Sequence, residues 1–157
     1  MQTFAQTGIV GKNTERRITV SERNLRGGKL RKWIRPLDPQ QVENRLGKGT
    51  PDTNYSHGWV ELKNFAGWNR LGRIDLLKKK FTQNQRIWLR RRWISGGRAF
   101  LMIRVGRECY LFTGVVAFDL PRMLDKATAK TLSCMSWTGE PDKGELITCL
   151  LRSTKDF

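Results

Sequence analysis

The sequence predicts an α/β protein, a mixed β-sheet core flanked by helices in a single domain. Three observations carry that prediction. Residues 59–63 (Trp-Val-Glu-Leu-Lys) alternate apolar and polar as a half-buried strand does. Thr82-x-x-Gln85 has the form of a capping box, and the helix it opens has its stop at Gly96-Gly97. Residues 98–105 (Arg-Ala-Phe-Leu-Met-Ile-Arg-Val) then form a run apolar enough for a strand covered on both faces. At 157 residues with 38% hydrophobic side chains, the chain is long enough for one real core.

Taken in order, residues 1–32 mix Gly, Thr, Asn, Ser and basic side chains with few apolar ones. They read as a basic, flexible arm, with an ordered piece near Ile18-Thr19-Val20. Gly27-Gly28 interrupts any helix begun at Ser21. Residues 33–114 read as the core domain and 115–157 as an extension packed on it. Residues 32–37 suggest an edge strand whose pairing ends at Pro36, and 42–46 a second strand. Gly47 and Gly49 bracket Lys48 in a close-approach loop that lacks the spacing of a P-loop. The turn-rich segment 54–58 reverses the chain into the 59–63 strand. On that strand Val60 and Leu62 face a core while Glu61 and Lys63 share the opposite face.

Phe65 and Trp68 follow in a loop, either capping the edge of the core or offering platforms for unpaired bases. Lys78-Lys79-Lys80 is a solvated run or a phosphate contact. The helix from Thr82 runs to about Ser95, with Gln85, Trp88 and Leu89 on one face. Gln85 therefore looks toward the sheet, although it also suits the capping box. Gly106-Arg107 turns 98–105 into a partner strand, 108–112. Residues 115–120 extend the sheet, 121–132 form a helix, Pro141-Asp142 is a turn, and 145–151 are a closing strand.

Charge narrows the function. Residues 1–114 carry 24 Lys and Arg against 8 Asp and Glu, and residues 115–157 carry 6 of each. The whole excess of +16 thus lies in the first part, a field suited to a polyanion and sensitive to salt. No apolar run suits a bilayer and the N-terminus lacks a secretory core, so no membrane is expected. Cys109, Cys134 and Cys149 are odd in number and widely spaced, which favours a reducing cytoplasm (host cytosol for a viral chain) over a disulfide framework. With His57 the sole histidine and no Cys-x-x-Cys pair, neither a zinc site nor Ser-His or Cys-His hydrolysis is indicated.

Pro51-Asp52 precedes Glu61-Leu62-Lys63 by nine residues. If the hairpin returns Asp52 to the face of Glu61 and Lys63, two carboxylates and an amine converge. Such oxygen donors suit magnesium or manganese. This order resembles the signature of the PD-(D/E)xK nuclease superfamily. Lys48-Gly-Thr-Pro-Asp52, residues 82–85 and Gly96-Gly97-Arg98-Ala99-Phe100 resemble its VRR-NUC branch, which contains virus-type Holliday-junction resolvase-like nucleases. The resemblance covers roughly residues 44–105 and implies a restriction-endonuclease-like fold. It implies that Asp52, Glu61 and the Leu62 carbonyl hold Mg²⁺ or Mn²⁺, with Lys63 and Gln85 completing the catalytic set. Similar nucleases begin with a helix bearing an acid. Glu22 is the candidate, with Glu15 and Glu43 as rivals, each equally readable as a solvated acid beside arginines.

The implied reaction is metal-dependent endonucleolytic hydrolysis of DNA, structure-selective for branched DNA, by a homodimer. Lys48, Lys78, Lys79, Lys80, Arg90, Arg91 and Arg92 are the candidate DNA-backbone contacts. The alternatives are a nuclease without junction specificity and a non-catalytic nucleic-acid-binding protein whose acids only pair with the basic surface.

Overall fold

A computed structural model describes residues 28–42 and 49–157. The architecture is α/β. Among the described residues, six strands form a mixed sheet in the order β1-β2-β3-β5-β6-β8: Gln40–Gln41, Thr53–Tyr55, Gly58–Phe65, Arg98–Val105, Glu108–Thr113 and Met135–Thr138. β3 runs parallel to β5, and every other neighbouring pair is antiparallel. β4 (Arg73–Asp75) and β7 (Met123–Asp125) pair separately. Five helices complete the described chain: α1 (Gly28–Trp33), α2 (Gln83–Ile94), α3 (Gly114–Asp119), α4 (Lys126–Leu132) and α5 (Lys143–Leu151). No helix among the described residues is long and apolar enough to cross a membrane.

Helices cover the sheet on both sides. On one face Leu30, Trp33, Ile34 and Leu37 join Leu146, Cys149 and Leu150 of α5 against Val60, Phe100, Met102 and Leu111. On the other, Leu89, Ala117 and Ala129 of α2, α3 and α4 pack on Ala99, Leu101, Ile103 and Phe112. Alternation in β3 and β5 sends successive side chains into these two cores, which explains the unbroken apolar run of β5.

The second helix of the described chain follows its local sequence closely. The Thr82 hydroxyl accepts from the Gln85 N–H at its start, and the Gln85 side chain returns to the Thr82 N–H. At its end Gly96 takes φ +81°. The Gly96 N–H donates to the Trp93 carbonyl and the Gly97 N–H to the Arg92 carbonyl, a Schellman motif.

Four expected elements differ. Residues 32–37 are not an edge strand: α1 ends at Trp33 and a 3₁₀ turn spans Arg35–Leu37. Leu30, Trp33, Ile34 and Leu37 stand at i, i+3, i+4 and i+7, so a helical path buries all four where a strand would divide them. Residues 115–120 form α3 instead of sheet, because the Thr113 hydroxyl caps the Val116 N–H. Residues 121–132 divide into β7 and α4, with Asp125 capping the latter. The closing strand at 145–151 is α5, for which Asp142 is the N-cap, and Leu146, Cys149 and Leu150 are its buried stripe. The strand in this region is β8. Residues 115–157 thus supply one strand to the main sheet and one helix to its far face. The ordered piece expected near 18–20 and the strand expected at 42–46 lie wholly or mostly outside the described residues, as do Glu15, Glu22, Glu43 and Lys48.

Candidate active site

The hairpin register pairs Thr53 with Val60 and Tyr55 with Gly58. Carried one residue further, it sets Asp52 opposite Glu61. The Asp52 N–H donates to Glu61 Oε2 at 3.0 Å. The turn at Ser56-His57 is closed by the Asn54 side chain, whose Nδ2 donates to the Gly58 carbonyl at 3.0 Å. His57 itself is an exposed turn residue bonded to the Ser56 hydroxyl.

Glu61 is wholly buried, and Lys63 is 7% exposed. Lys63 Nζ lies 2.6 Å from Glu61 Oε1 and also donates to the Lys80 carbonyl at 3.4 Å. Lys80 reaches this place through a left-handed conformation (φ 56°) that ends the 3₁₀ turn Leu76–Lys79. From α2, Gln85 Nε2 donates to the same Glu61 Oε1 at 3.0 Å, while Gln85 Oε1 accepts from the Thr82 N–H at 3.1 Å. One side chain thus caps the helix and also faces the sheet, where it meets the Glu61 carboxylate.

Burial pushes the Glu61 carboxyl above its ordinary value, against the pull of the Lys63 ammonium, and the nearby Asp52 charge pushes it further up. A carboxylate offers about four lone-pair positions. Three protein donors occupy Glu61, only one of them on Oε2. Oxygen donors and spare acceptor capacity are what a hard divalent cation would use. Asp52, Glu61 and the Leu62 backbone are the residues able to hold it. Among the described residues there is no group of three or more His, Cys, Asp or Glu, so any such ion would depend on carbonyls or water for its remaining ligands.

Gly49 holds the loop before Asp52 against the start of α2. Its φ is +89°, and a Cβ there would stand 2.4 Å from the Asn84 carbonyl. Gly49→Ala is expected to lower stability by about 2 kcal/mol, read from urea denaturation, by combining backbone strain with a clash that has no flexible atom to yield.

The basic candidates separate. Lys78, Lys79 and Lys80 are exposed, and the Lys80 backbone joins them to the site. Arg90 is exposed but lies over the Phe118 ring at 4.5 Å, on the side of α2 that meets α3. Arg91 and Arg92 flank Trp88 on another side of the helix. Arg86, not singled out by sequence, is buried and donates to the Ala117, Phe118 and Leu120 carbonyls at the end of α3. Its charge serves the fold. Phe65 and Trp68 cap the edge of the second core, with Trp68 Nε1 donating to Glu108 at 2.6 Å.

Two further features escaped the sequence reading: the Lys80 carbonyl as a partner of Lys63, and the contact of Trp59 with Trp88. The second had a signal, since Trp59 stands two positions before Glu61 on the same face of the strand. No protein-family model and no curated protein matches the chain.

Proposed function

We propose that this chain is a metal-dependent DNA endonuclease that hydrolyses phosphodiester bonds, with Mg²⁺ or Mn²⁺ as cofactor and branched DNA as its preferred substrate. The observation supporting the reading most strongly is the convergence on one buried carboxylate. Lys63, Gln85 and the Asp52 backbone all donate to Glu61, from a strand, a helix and a loop.

In this reading Asp52, Glu61 and the Leu62 carbonyl hold the cation, which when bound polarises the scissile phosphate and acidifies a water. Lys63 keeps a proton at Nζ beside Glu61 and orients the attacking water. Gln85 holds Glu61 Oε1 in line by its amide N–H. Lys78, Lys79 and Lys80 draw the DNA backbone toward the site and carry no base information. Symmetric cutting of a branch requires two sites, hence a homodimer.

A second reading has its own observation. Glu61 already has an ammonium at 2.6 Å, and a closed ion pair within a basic chain also suits a protein that only binds nucleic acid. The experiment separating them incubates the protein with labelled four-way junction, flap, duplex and single-stranded DNA, in Mg²⁺, Mn²⁺ or chelator. Paired junction cuts with either ion, absent in chelator and restored by added Mg²⁺, are expected. Equal cutting of linear duplex would remove the preference for branches and keep the nuclease. Binding that falls steeply with salt, without cutting in any ion, would leave a binding protein.

A further inference from the structure

Trp88, Arg91, Arg92 and Ser95 line a cleft of about 310 Å³. They stand at i, i+3, i+4 and i+7 of α2, the spacing that gathers side chains on one side of a helix. Trp88 is half-buried, and the ring of Trp59 meets it edge to face, with centroids 5.3 Å apart and 68° between planes. Trp59 lies two residues before Glu61 on β3, roughly 7 Å along the strand and on the same face. Trp88 lies three residues after Gln85 on α2. The aromatic pair is therefore built on the two elements that carry the candidate active site.

The arginines beside it are tied to the fold less than their neighbours are, although the Arg92 side chain lies over Gly97. Arg86 holds the carbonyls ending α3, Arg98 those ending α5, and Arg90 covers Phe118. Arg122 pairs with Asp75. Arg91 and Arg92 are exposed, and neither joins an ion pair among the described residues. A half-buried aromatic ring that packs on the second core and lines a cleft with two arginines matches the chemistry of a nucleotide: a π-face for the base and fixed positive charge for the phosphate.

We propose that this cleft is a stacking subsite for one unpaired base of the DNA strand held at Glu61, with Trp88 as the platform and Arg91 and Arg92 on the flanking phosphates. The inference rests on the nuclease reading above and sharpens its substrate. A base within a duplex is stacked on both sides and cannot enter. The subsite therefore favours DNA with a nucleotide freed beside the cut, as at a branch point or a frayed end. Recognition by stacking tolerates any base, so a structural preference without a sequence preference follows.

The test measures binding in chelator, where no bond is broken. Wild type, Trp88→Ala and Trp88→Phe are titrated with a poly-dT oligonucleotide, an abasic oligonucleotide of the same length, and a duplex. Trp88→Ala is expected to weaken poly-dT binding by about tenfold, the size of one base–aromatic stack, with Trp88→Phe recovering most of it. Abasic and duplex binding should change by less than about twofold, within the scatter of measured contributions. An equal loss on all three ligands, or none on poly-dT, would overturn the subsite.

Tryptophan fluorescence supplies a second readout that does not depend on Trp88→Ala folding. Poly-dT should quench the wild type and the abasic strand should not, and the quench should shrink in Trp88→Phe to what the neighbouring Trp59 contributes. A quench undiminished in Trp88→Phe would also overturn the assignment. Metal-dependent cleavage with no base-dependent binding would sink the subsite alone. Base-dependent binding lost in the variants, in a protein that cuts nothing in any ion, would sink the nuclease and leave the subsite standing.

Discussion

Glu61→Gln is expected to cleave DNA about a thousandfold more slowly than the wild type, or worse, in either Mg²⁺ or Mn²⁺ while remaining folded. Gln has nearly the same shape and keeps an oxygen for one of the three donors around position 61. It loses the negative charge that would hold a cation. Several kcal/mol of transition-state stabilisation depend on such an ion, and each factor of ten in rate is about 1.4 kcal/mol.

Stability should respond differently. The Glu61 carboxyl has its folded-state pKa raised by burial, so the folded protein binds that proton more tightly than the unfolded chain. Its contribution is fully present below the unfolded glutamate value, about 4.3, and is lost as pH rises through the folded value. The wild type therefore carries at neutral pH a cost that Gln removes, offset by the Lys63 ammonium losing its counter-ion. Urea denaturation across that range should show a component falling with pH in the wild type and absent from Glu61→Gln. Cleavage by this variant within about tenfold of the wild type would discard Glu61 as a metal ligand.

Lys63→Met should cost about 3 kcal/mol of folding stability at neutral pH, the lower end of what breaking a buried ion pair removes. Met fills most of the volume of the lysine stem, so the loss comes from the charge left behind. Glu61 is wholly buried, and without the ammonium at 2.6 Å burial and the Asp52 charge push its carboxyl up against only the hydrogen bonds from the Asp52 N–H and Gln85. Its folded pKa rises further, and the sign follows as before: the deficit should shrink as pH falls toward the unfolded glutamate value, about 4.3, and widen as pH increases.

The double variant Glu61→Gln with Lys63→Met should recover most of the loss, because neutral groups of similar volume replace a buried pair at little or no cost. Cleavage should fall by about a hundredfold or more in Lys63→Met, as expected for losing a group that orients the attacking water. It should fall by about a thousandfold or more in the double variant, which also lacks the Glu61 carboxylate. A double variant no more stable than Lys63→Met would show that packing, and not the isolated carboxylate, carries the effect.

How far these residues were legible follows the range of the forces involved. The alternation of 59–63 put Glu61 and Lys63 on one face, and the turn residues at 54–58 returned Asp52 beside them. The boundaries of α2 were readable because Thr82, Gln85, Gly96 and Gly97 act on backbone groups within a turn of themselves. Short amphipathic segments were harder. Residues 32–37 read as an edge strand ended by Pro36, although Leu30 and Leu37 complete a helical stripe. In 145–151 the apolar run hides the spacing of Leu146, Cys149 and Leu150, and Pro141-Asp142 reads as a turn where Asp142 is a cap.

By itself, then, the sequence determined the α/β class, the shared face of Glu61 and Lys63, the hairpin that brings Asp52 to Glu61, and the helix that carries Gln85. Only the tertiary structure decided that Glu61 is wholly buried, that the Lys80 carbonyl completes the surroundings of Lys63, that Arg86 serves the fold, and that Trp59 meets Trp88. Capping bonds and strand alternation act over a few residues and leave their mark in local spacing. Desolvation, which sets the charge state of a buried carboxylate, depends on segments brought from elsewhere in the chain to exclude water, and no local pattern encodes it.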